Sequence, residues 1–408
     1  METPGPRRLA LAVLDKVGRG KFAAPTLDQT LLRHRLSSQE AGLLTDLVYG
    51  TLRRERWLRA SLEPLLERPR GLPGKVFWVL LAGAYEKLFT HRPPYAVVSG
   101  WVNTARAEVP RFAGLVNAVL RRVELVPATE PVRLGLPDFL YEHWRRFFGD
   151  VSWAASLNEP APLWLTVFPG GLELLKAQGV GFSPGPIPGS VRTGGTPLRK
   201  IEAFRRGLAQ PQNPASLLAA RLLGDVSGRK VLDLAGGAGI KAAWLASRGA
   251  HVVSYDADPA RQRAGRRNLE RLGLEVEFRT RDLRRPLDET APFVLLDAPC
   301  LGTGTLRGHP ELRRRLRPSD LAASSRLQGE LLETAAAATE SGGTLLYAVC
   351  SLTADEGEEQ IIRFLEAHPE FTPATPPLPL AELRRGHGVY VEPRDGLDGF
   401  YYARLLKT

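Results

Sequence analysis

The chain has 408 residues, 43% of them hydrophobic and 24% charged, which excludes a disordered or collagen-like chain and leaves room for about three globular domains. Basic residues outnumber acidic ones 55 to 44, a net charge of +11 that makes nucleic acid a candidate partner. Two cysteines exclude a disulfide framework and a Cys-rich zinc site, and no apolar run reaches the roughly 18 residues of a membrane span.

Met1 to Arg8 carries two arginines but no apolar stretch with a cleavage site, so no signal peptide is expected. The expectation is a cytoplasmic monomer that binds neither metal nor membrane. From residue 6 to about 125 the pattern predicts only helices. Leu9, Ala12, Val13 and Val17 mark one amphipathic face, and Ala41, Leu44, Leu47 and Val48 another. The second follows Ser37-Ser38-Gln39-Glu40, which has the character of a capping box. Val76, Val79, Leu80 and Gly83 continue the series, and Leu115 to Val123 closes it. Residues 1–130 hold 20 basic and 12 acidic residues, so most of the positive excess lies here. Arginines cluster at Arg53, Arg54, Arg56 and Arg59 and at Arg121 and Arg122. Such clusters read either as a solvated face or as phosphate contacts.

Residues 126–225 read as a small α+β linking domain, broken by prolines, with a strand over Leu163 to Phe168 and a Pro/Gly-rich loop over Phe182 to Pro197. From residue 226 to 408 strands and helices alternate, which predicts a doubly wound, mainly parallel sheet. Strands are expected at Val231–Leu234, His251–Asp256, Glu275–Thr280, Phe293–Asp297 and Gly343–Cys350. A long helix over about Pro318 to Glu340 and another over about Asp355 to Ala367 flank the last of these. Val389–Glu392 and Gly399–Leu406 close the sheet. Ligands of such sheets bind at the carboxyl ends of the strands.

The first strand runs into Ala235-Gly236-Gly237-Ala238-Gly239-Ile240-Lys241, a glycine turn leading into a helix. Gly237-x-Gly239-x-x-Ala242 also fits a dinucleotide fingerprint, with Asp256 where a ribose-binding acid would lie, so an NAD-dependent oxidoreductase is a rival reading. Acids at four strand ends (Asp233, Asp256, Asp282 and Asp297) weigh against it. S-adenosylmethionine offers a ribose diol, an adenine amine and an ammonium to carboxylates, and it has no pyrophosphate. The only cysteines, Cys300 and Cys350, follow the fourth and fifth strands and should share one rim of the sheet. Beside a methyl donor they make a nucleophile pair. A thiolate adding to carbon 6 of a pyrimidine turns unreactive carbon 5 into a nucleophile, and a base must later remove the carbon 5 proton.

These residues resemble the RNA cytosine-5 methyltransferases, specifically the Sun/Fmu (RsmB-like) 16S ribosomal RNA enzymes. Asp297-Ala298-Pro299-Cys300 with Gly302-Thr303-Gly304, Arg307 and His309-Pro310 is similar to the family's fourth motif, and Tyr347-Ala-Val-Cys350-Ser351 to its sixth. Gln210 to Ser216 and Asp398-Gly399-Phe400 match two further segments. Leu47 to Arg54 and Gly114 to Arg122 resemble the NusB-like RNA-binding domain that accompanies the family, over residues 1–125. The resemblance implies an S-adenosylmethionine-dependent enzyme acting on small-subunit ribosomal RNA. Cys350 would be the nucleophile, Cys300 would assist release, and Asp297 would support the cytosine ring. Ala235 to Lys241, Asp256, Asp282 and Asp297 would hold the cofactor. The first motif departs from the family's Ala-Ala-Pro-Gly-Gly-Lys, which keeps a catalytically idle assembly factor as an alternative. Val349 and Leu301 each replace a hydroxyl-bearing residue, and Thr166 an arginine.

Overall fold

The structure is a computed structural model that describes residues 4–408; the first three residues of the Met1–Arg8 stretch lie outside it. The chain forms two compact units. One takes the chain as far as Glu142, together with Asn158–Pro160 and Leu306–Leu316; the other takes the remainder.

The first unit is helical: α1 (Pro6–Gly18), α2 (Ala23–Arg33), α3 (Ser38–Leu62), α4 (Gly74–Phe89), α5 (Pro94–Glu108), α6 (Ala113–Arg122) and the short α7 (Glu130–Leu134). Ser37 caps α3 by accepting from the Glu40 amide at 3.2 Å, while the Glu40 carboxylate accepts from the Ser37 amide at 2.9 Å. Leu14, Leu44, Leu47, Val79, Leu80, Trp101 and Leu120 are fully buried in a common core. On α1 the buried residues are Leu9, Ala10, Leu11, Val13, Leu14 and Val17; Ala12, expected inside, is an exposed position among them. Buried Glu86 of α4 is satisfied by the Arg7 guanidinium at 2.6 and 2.8 Å and by the Trp101 indole at 2.7 Å.

The Arg53–Arg59 cluster is neither a solvated face nor free for RNA. Arg53 is buried and donates to the Arg307 carbonyl, at 3.1 Å from Nη2. Arg54 lies over the Phe89 ring, Arg56 donates to the Leu136 carbonyl and Asp138, and Arg59 pairs with Glu55. Leu306–Leu316, the tail of the fourth motif, is fixed in this same unit. Its Arg313 donates to the Arg53 and Leu134 carbonyls at 2.9 Å and to Asn158 Oδ1 at 2.6 Å. Its Glu311 accepts from the Ala23 amide at 3.0 Å.

The second unit has two sheets. The smaller is antiparallel, with order β2-β3-β1-β4 from β1 (Leu163–Val167), β2 (Phe182–Pro184), β3 (Ser190–Thr193) and β4 (Ala209–Pro211). The expected loop over Phe182 to Pro197 is therefore largely a hairpin. Its one strand proline, Pro184, ends β2 at the sheet edge, where proline's missing donor is tolerated, and the Gly185 amide closes the hairpin on the Ser190 carbonyl at 2.8 Å.

The larger sheet is built from β5 (Lys230–Leu234), β6 (His251–Asp256), β7 (Glu277–Thr280), β8 (Ala291–Asp297), β9 (Thr339–Val349), β10 (Phe371–Pro373), β11 (Glu382–Arg385), β12 (Val389–Val391) and β13 (Phe400–Lys407). Its order is β11-β12-β13-β9-β8-β5-β6-β7, with β10 added beside β13. The five strands from β9 to β7 are parallel, and β10 to β13 are antiparallel. β10 and β11 escape the sequence pattern because they are three- and four-residue edge strands with little apolar alternation. The long helix, Pro318–Ala338, ends two residues early and β9 starts at Thr339, not at Gly343. Order reverses between β5 and β8, which opens a crevice at the carboxyl ends of those two strands.

Candidate functional site

That crevice is a cavity of about 1040 Å³, lined wholly by the second unit. Its walls include Gln212, Asp233, Ala235 to Ala238, Ile240, Lys241, Asp256, Asp282, Asp297, Cys300, Cys350, Asp398 and Phe400. The sequence-predicted residues are thus brought together, save Gly239, which lies behind the wall and starts the helix Ile240–Ser247 in a left-handed conformation with φ +66°.

The glycine turn is tight. A Cβ on Gly236 would sit 2.1 Å from Asp233 Oδ2 and 2.3 Å from Ser254 Oγ, so only glycine fits. Ala235 takes φ 57° without being glycine, a strained conformation of the kind found at functional sites. The Gly237 amide donates to Asp256 Oδ2 at 2.9 Å, and the Asp258 amide to Asp256 Oδ1 at 2.7 Å. Each carboxylate oxygen keeps a further acceptor site, so Asp256 is aimed by the backbone and still able to bind a diol. Asp282 also faces the cavity but is half given away. Its carboxylate takes the Arg284 guanidinium at 2.7 to 3.1 Å and the Arg284 amide at 3.1 Å, and that pairing pulls its pKa down to about 2.

Deeper in, Lys241 Nζ meets Asp297 Oδ2 at 2.5 Å. Burial disfavours the ammonium, but Asp297 outweighs it and holds the Lys241 pKa above its ordinary value. Asp233 is fully buried; burial pushes its pKa up to about 7 although the Ser254 hydroxyl donates to it at 2.9 Å. Asp233 Oδ1 and Gln212 Nε2 are buried with no hydrogen-bond partner among the described residues. One is an acceptor and the other a donor, as the ammonium and carboxylate of an amino-acid moiety require. The donor set fits S-adenosylmethionine: acids for the ammonium and ribose, a glycine turn for close approach, and wall cations each already paired with an acid (Lys241 with Asp297, Arg261 with Asp258, Arg281 with Asp288, Arg284 with Asp282) rather than free for a pyrophosphate. Thr166 does not face solvent as a substitute RNA contact: it is buried and orients Gln212 with a 2.7 Å hydrogen bond.

The cysteines stand where the sequence places them. β8 and β9 are neighbours in parallel register, Asp297 opposite Ala348, so the segments that follow them emerge side by side. The sulfurs of Cys300 and Cys350 are 3.4 Å apart. The hydrogen bond to Cys350 and then burial raise the Cys300 pKa well above that of a free thiol, so Cys300 keeps its proton and donates it. Gly304 fixes the first loop against the last hairpin: a Cβ there would lie 2.0 Å from the Gly399 carbonyl oxygen, and the Gly399 amide donates to the Gly304 carbonyl at 3.0 Å.

Sequence reasoning missed Glu356. Its side chain is wholly buried and receives five donors: the Leu301 amide at 2.9 Å, Ser324 Oγ at 2.6 Å, Gln328 Nε2 at 3.0 Å, Thr353 Oγ1 at 2.9 Å, and Ser351 Oγ. Leu301 follows Cys300 and Ser351 follows Cys350, so one carboxylate ties both cysteine loops together. In the sequence Glu356 sits among Asp355, Glu358 and Glu359 and reads as an ordinary acidic helix start.

A family model described as "16S rRNA methyltransferase RsmB/F" matches residues 220–406, and the NusB family model matches residues 5–125. Over 408 residues the chain is 53% identical to the ribosomal RNA small subunit methyltransferase B of Thermus thermophilus, covering 100% of this chain and 99% of that one. The chain belongs to the 16S rRNA methyltransferase RsmB/F family. The protein of the same name from Citrobacter koseri is 30% identical over 427 residues, 98% of this chain and 97% of that one. Among solved structures, that of PH0851 superposes over the whole of both chains with TM-score 0.85 at 24% identity. That of NSun6 from Pyrococcus horikoshii with SFG gives 0.60 at 19%, over 67% of this chain and 98% of that one. These two likenesses speak to the fold. Membership of the RsmB/F family makes the chain an S-adenosylmethionine-dependent RNA methyltransferase and removes the NAD reading.

Proposed function

We propose that this RsmB/F family member methylates carbon 5 of a cytosine in small-subunit ribosomal RNA through a covalent adduct with Cys350. The observation that carries the reading is the pair of sulfurs 3.4 Å apart on the wall of the cofactor cavity, beside Asp297. The target base leaves its stack and enters this cavity. Asp297, paired to the Lys241 ammonium, accepts from the exocyclic amine in this scheme. The Cys350 thiolate adds to carbon 6, and the ring's electron pair moves to carbon 5. Bound S-adenosylmethionine supplies the methyl group. Once Cys350 is bonded to carbon it no longer accepts from Cys300 as a thiolate, so the largest of the causes that raise the Cys300 pKa is removed and Cys300 releases its proton to solvent. Its thiolate then takes the carbon 5 proton, the double bond re-forms, and the Cys350 thiolate leaves. One proton is released per turnover.

The two cysteine variants should fail differently. Cys350→Ala should bind RNA but neither methylate nor cross-link. Cys300→Ala should attack and transfer, then release slowly, so that a covalent protein–RNA band accumulates on a denaturing gel only with S-adenosylmethionine present. A band with Cys350→Ala instead would exchange the roles. Normal turnover by both variants would overturn the mechanism.

A further inference from the structure

Several arginines of the first unit are neutralised within it: Arg7 on Glu86, Arg8 on Glu108, Arg56 on Asp138, and Arg59 and Arg314 on Glu55. The α5/α6 hairpin is different. Along it runs a groove of about 700 Å³ whose lining contains Lys87, Arg106 and Arg121 and no acidic residue. Its floor is apolar, with Val98 and Val102 almost buried. At one end stands Tyr95, 79% exposed. The Arg121 guanidinium and the Tyr95 ring have no hydrogen-bond, ion-pair or ring partner among the described residues. Lys87 Nζ donates to the carbonyls of Arg121 at 3.0 Å and Val123 at 2.9 Å, which leaves one of its three donors over. Arg106 leans on Asn103 Oδ1 at 2.9 Å and keeps its remaining donors.

Arg121 and Arg106 have no ion-pair partner among the described residues, and only Glu124, outside the groove, acts on Lys87, so the site calls for an anion; an exposed ring beside an apolar floor calls for a flat partner. Single-stranded RNA offers both, whereas a duplex presents its bases already stacked and paired. From Tyr95 to Arg106 the groove spans roughly 16 Å at the helical rise, about the length of three to five nucleotides. We propose that the α5/α6 groove is a single-stranded RNA subsite, in which an unpaired base stacks on Tyr95 and flanking phosphates engage Arg121, Lys87 and Arg106. This rests on the reading of ribosomal RNA as substrate, and it locates where the helical unit would hold it.

The test is fluorescence anisotropy of the full-length protein with a labelled, unstructured oligoribonucleotide over a range of salt. Loss of one base–aromatic stack predicts that Tyr95→Ala binds about 5- to 150-fold more weakly, while Tyr95→Phe retains affinity. Arg121→Ala should flatten the salt dependence by about 0.7 in log K against log salt, one phosphate contact on a single strand. Wild-type affinity and slope in Tyr95→Ala and Arg121→Ala would overturn the proposal and leave the groove to a protein segment. Equal losses in Tyr95→Phe and Tyr95→Ala would overturn the stacking. Methylation of small-subunit RNA by the wild type is measured alongside. If it proceeds while the groove variants bind normally, the groove alone fails; if it is absent, the functional reading fails on its own.

Discussion

Removing the Glu356 carboxylate tests whether it holds the two cysteine loops together. In Glu356→Ala the hydroxyls can find one another, since Thr303, Ser351 and Thr353 already lie within 2.9 to 3.3 Å in sequence. Gln328 keeps the Pro299 carbonyl at 2.9 Å. The Leu301 amide has no such substitute, and an orphaned buried donor costs about 1–3 kcal/mol. The cavity left by the deleted side chain adds to this, for a total of about 3–5 kcal/mol. Glu356→Gln should cost far less, about 1–2 kcal/mol, because an amide oxygen can still accept from Leu301 while the hydroxyls of Ser351 and Thr353 turn to accept from its NH₂. Urea unfolding measures both. Glu356 is not part of the cavity wall, so S-adenosylmethionine affinity should stay within about twofold of wild type in the Gln variant. Turnover should nevertheless fall, by up to about 10²-fold if the loops shift by an ångström. If Glu356→Ala unfolds with the wild-type midpoint, or if Gln is as costly as Ala, the carboxylate is not the tie between the loops.

Asp256→Ala should weaken S-adenosylmethionine by about 10- to 150-fold, the loss of one charge-assisted contact, with the fold retained; calorimetry giving wild-type affinity would move the ribose site elsewhere. Asp233 gives a pH signature. Its pKa in the folded state, about 7, lies above the ordinary 3.8, so the folded state holds this proton longer than the unfolded one. The contribution to stability is complete below about pH 4 and is lost as pH rises through about 7. Asp233→Asn should therefore gain stability relative to wild type between about pH 4 and 8, by at most about 4 kcal/mol at 1.4 kcal/mol per unit. A difference in urea midpoints that does not change with pH would show that Asp233 is ionised throughout.

Periodicity alone located α1, α3, α4 and α6 of the first unit, though not α2 and α5, and the strands β5, β6, β8, β9 and β13, because each repeats its apolar residues over enough positions to mark a face. The local order of strand, acid and glycine placed Asp256, Lys241, Asp297, Cys300 and Cys350 at one rim, since parallel strands all end on the same side. Tertiary structure decided what depends on distant partners. Lys241 and Asp297 are 56 residues apart and pair only when β5 and β8 lie side by side. The arginines of α3 look like a surface cluster, yet Arg53 is buried on residues more than 250 positions away. Leu306–Leu316 reads as a continuation of the cysteine motif but folds with the helical unit, because its Arg313 and Glu311 find their partners there. Glu356 is the same case: nothing in its neighbourhood along the chain separates it from solvent-facing acids. Only the convergence of β8, β9 and the helix Pro318–Ala338 surrounds it with donors and makes burial of its charge tolerable.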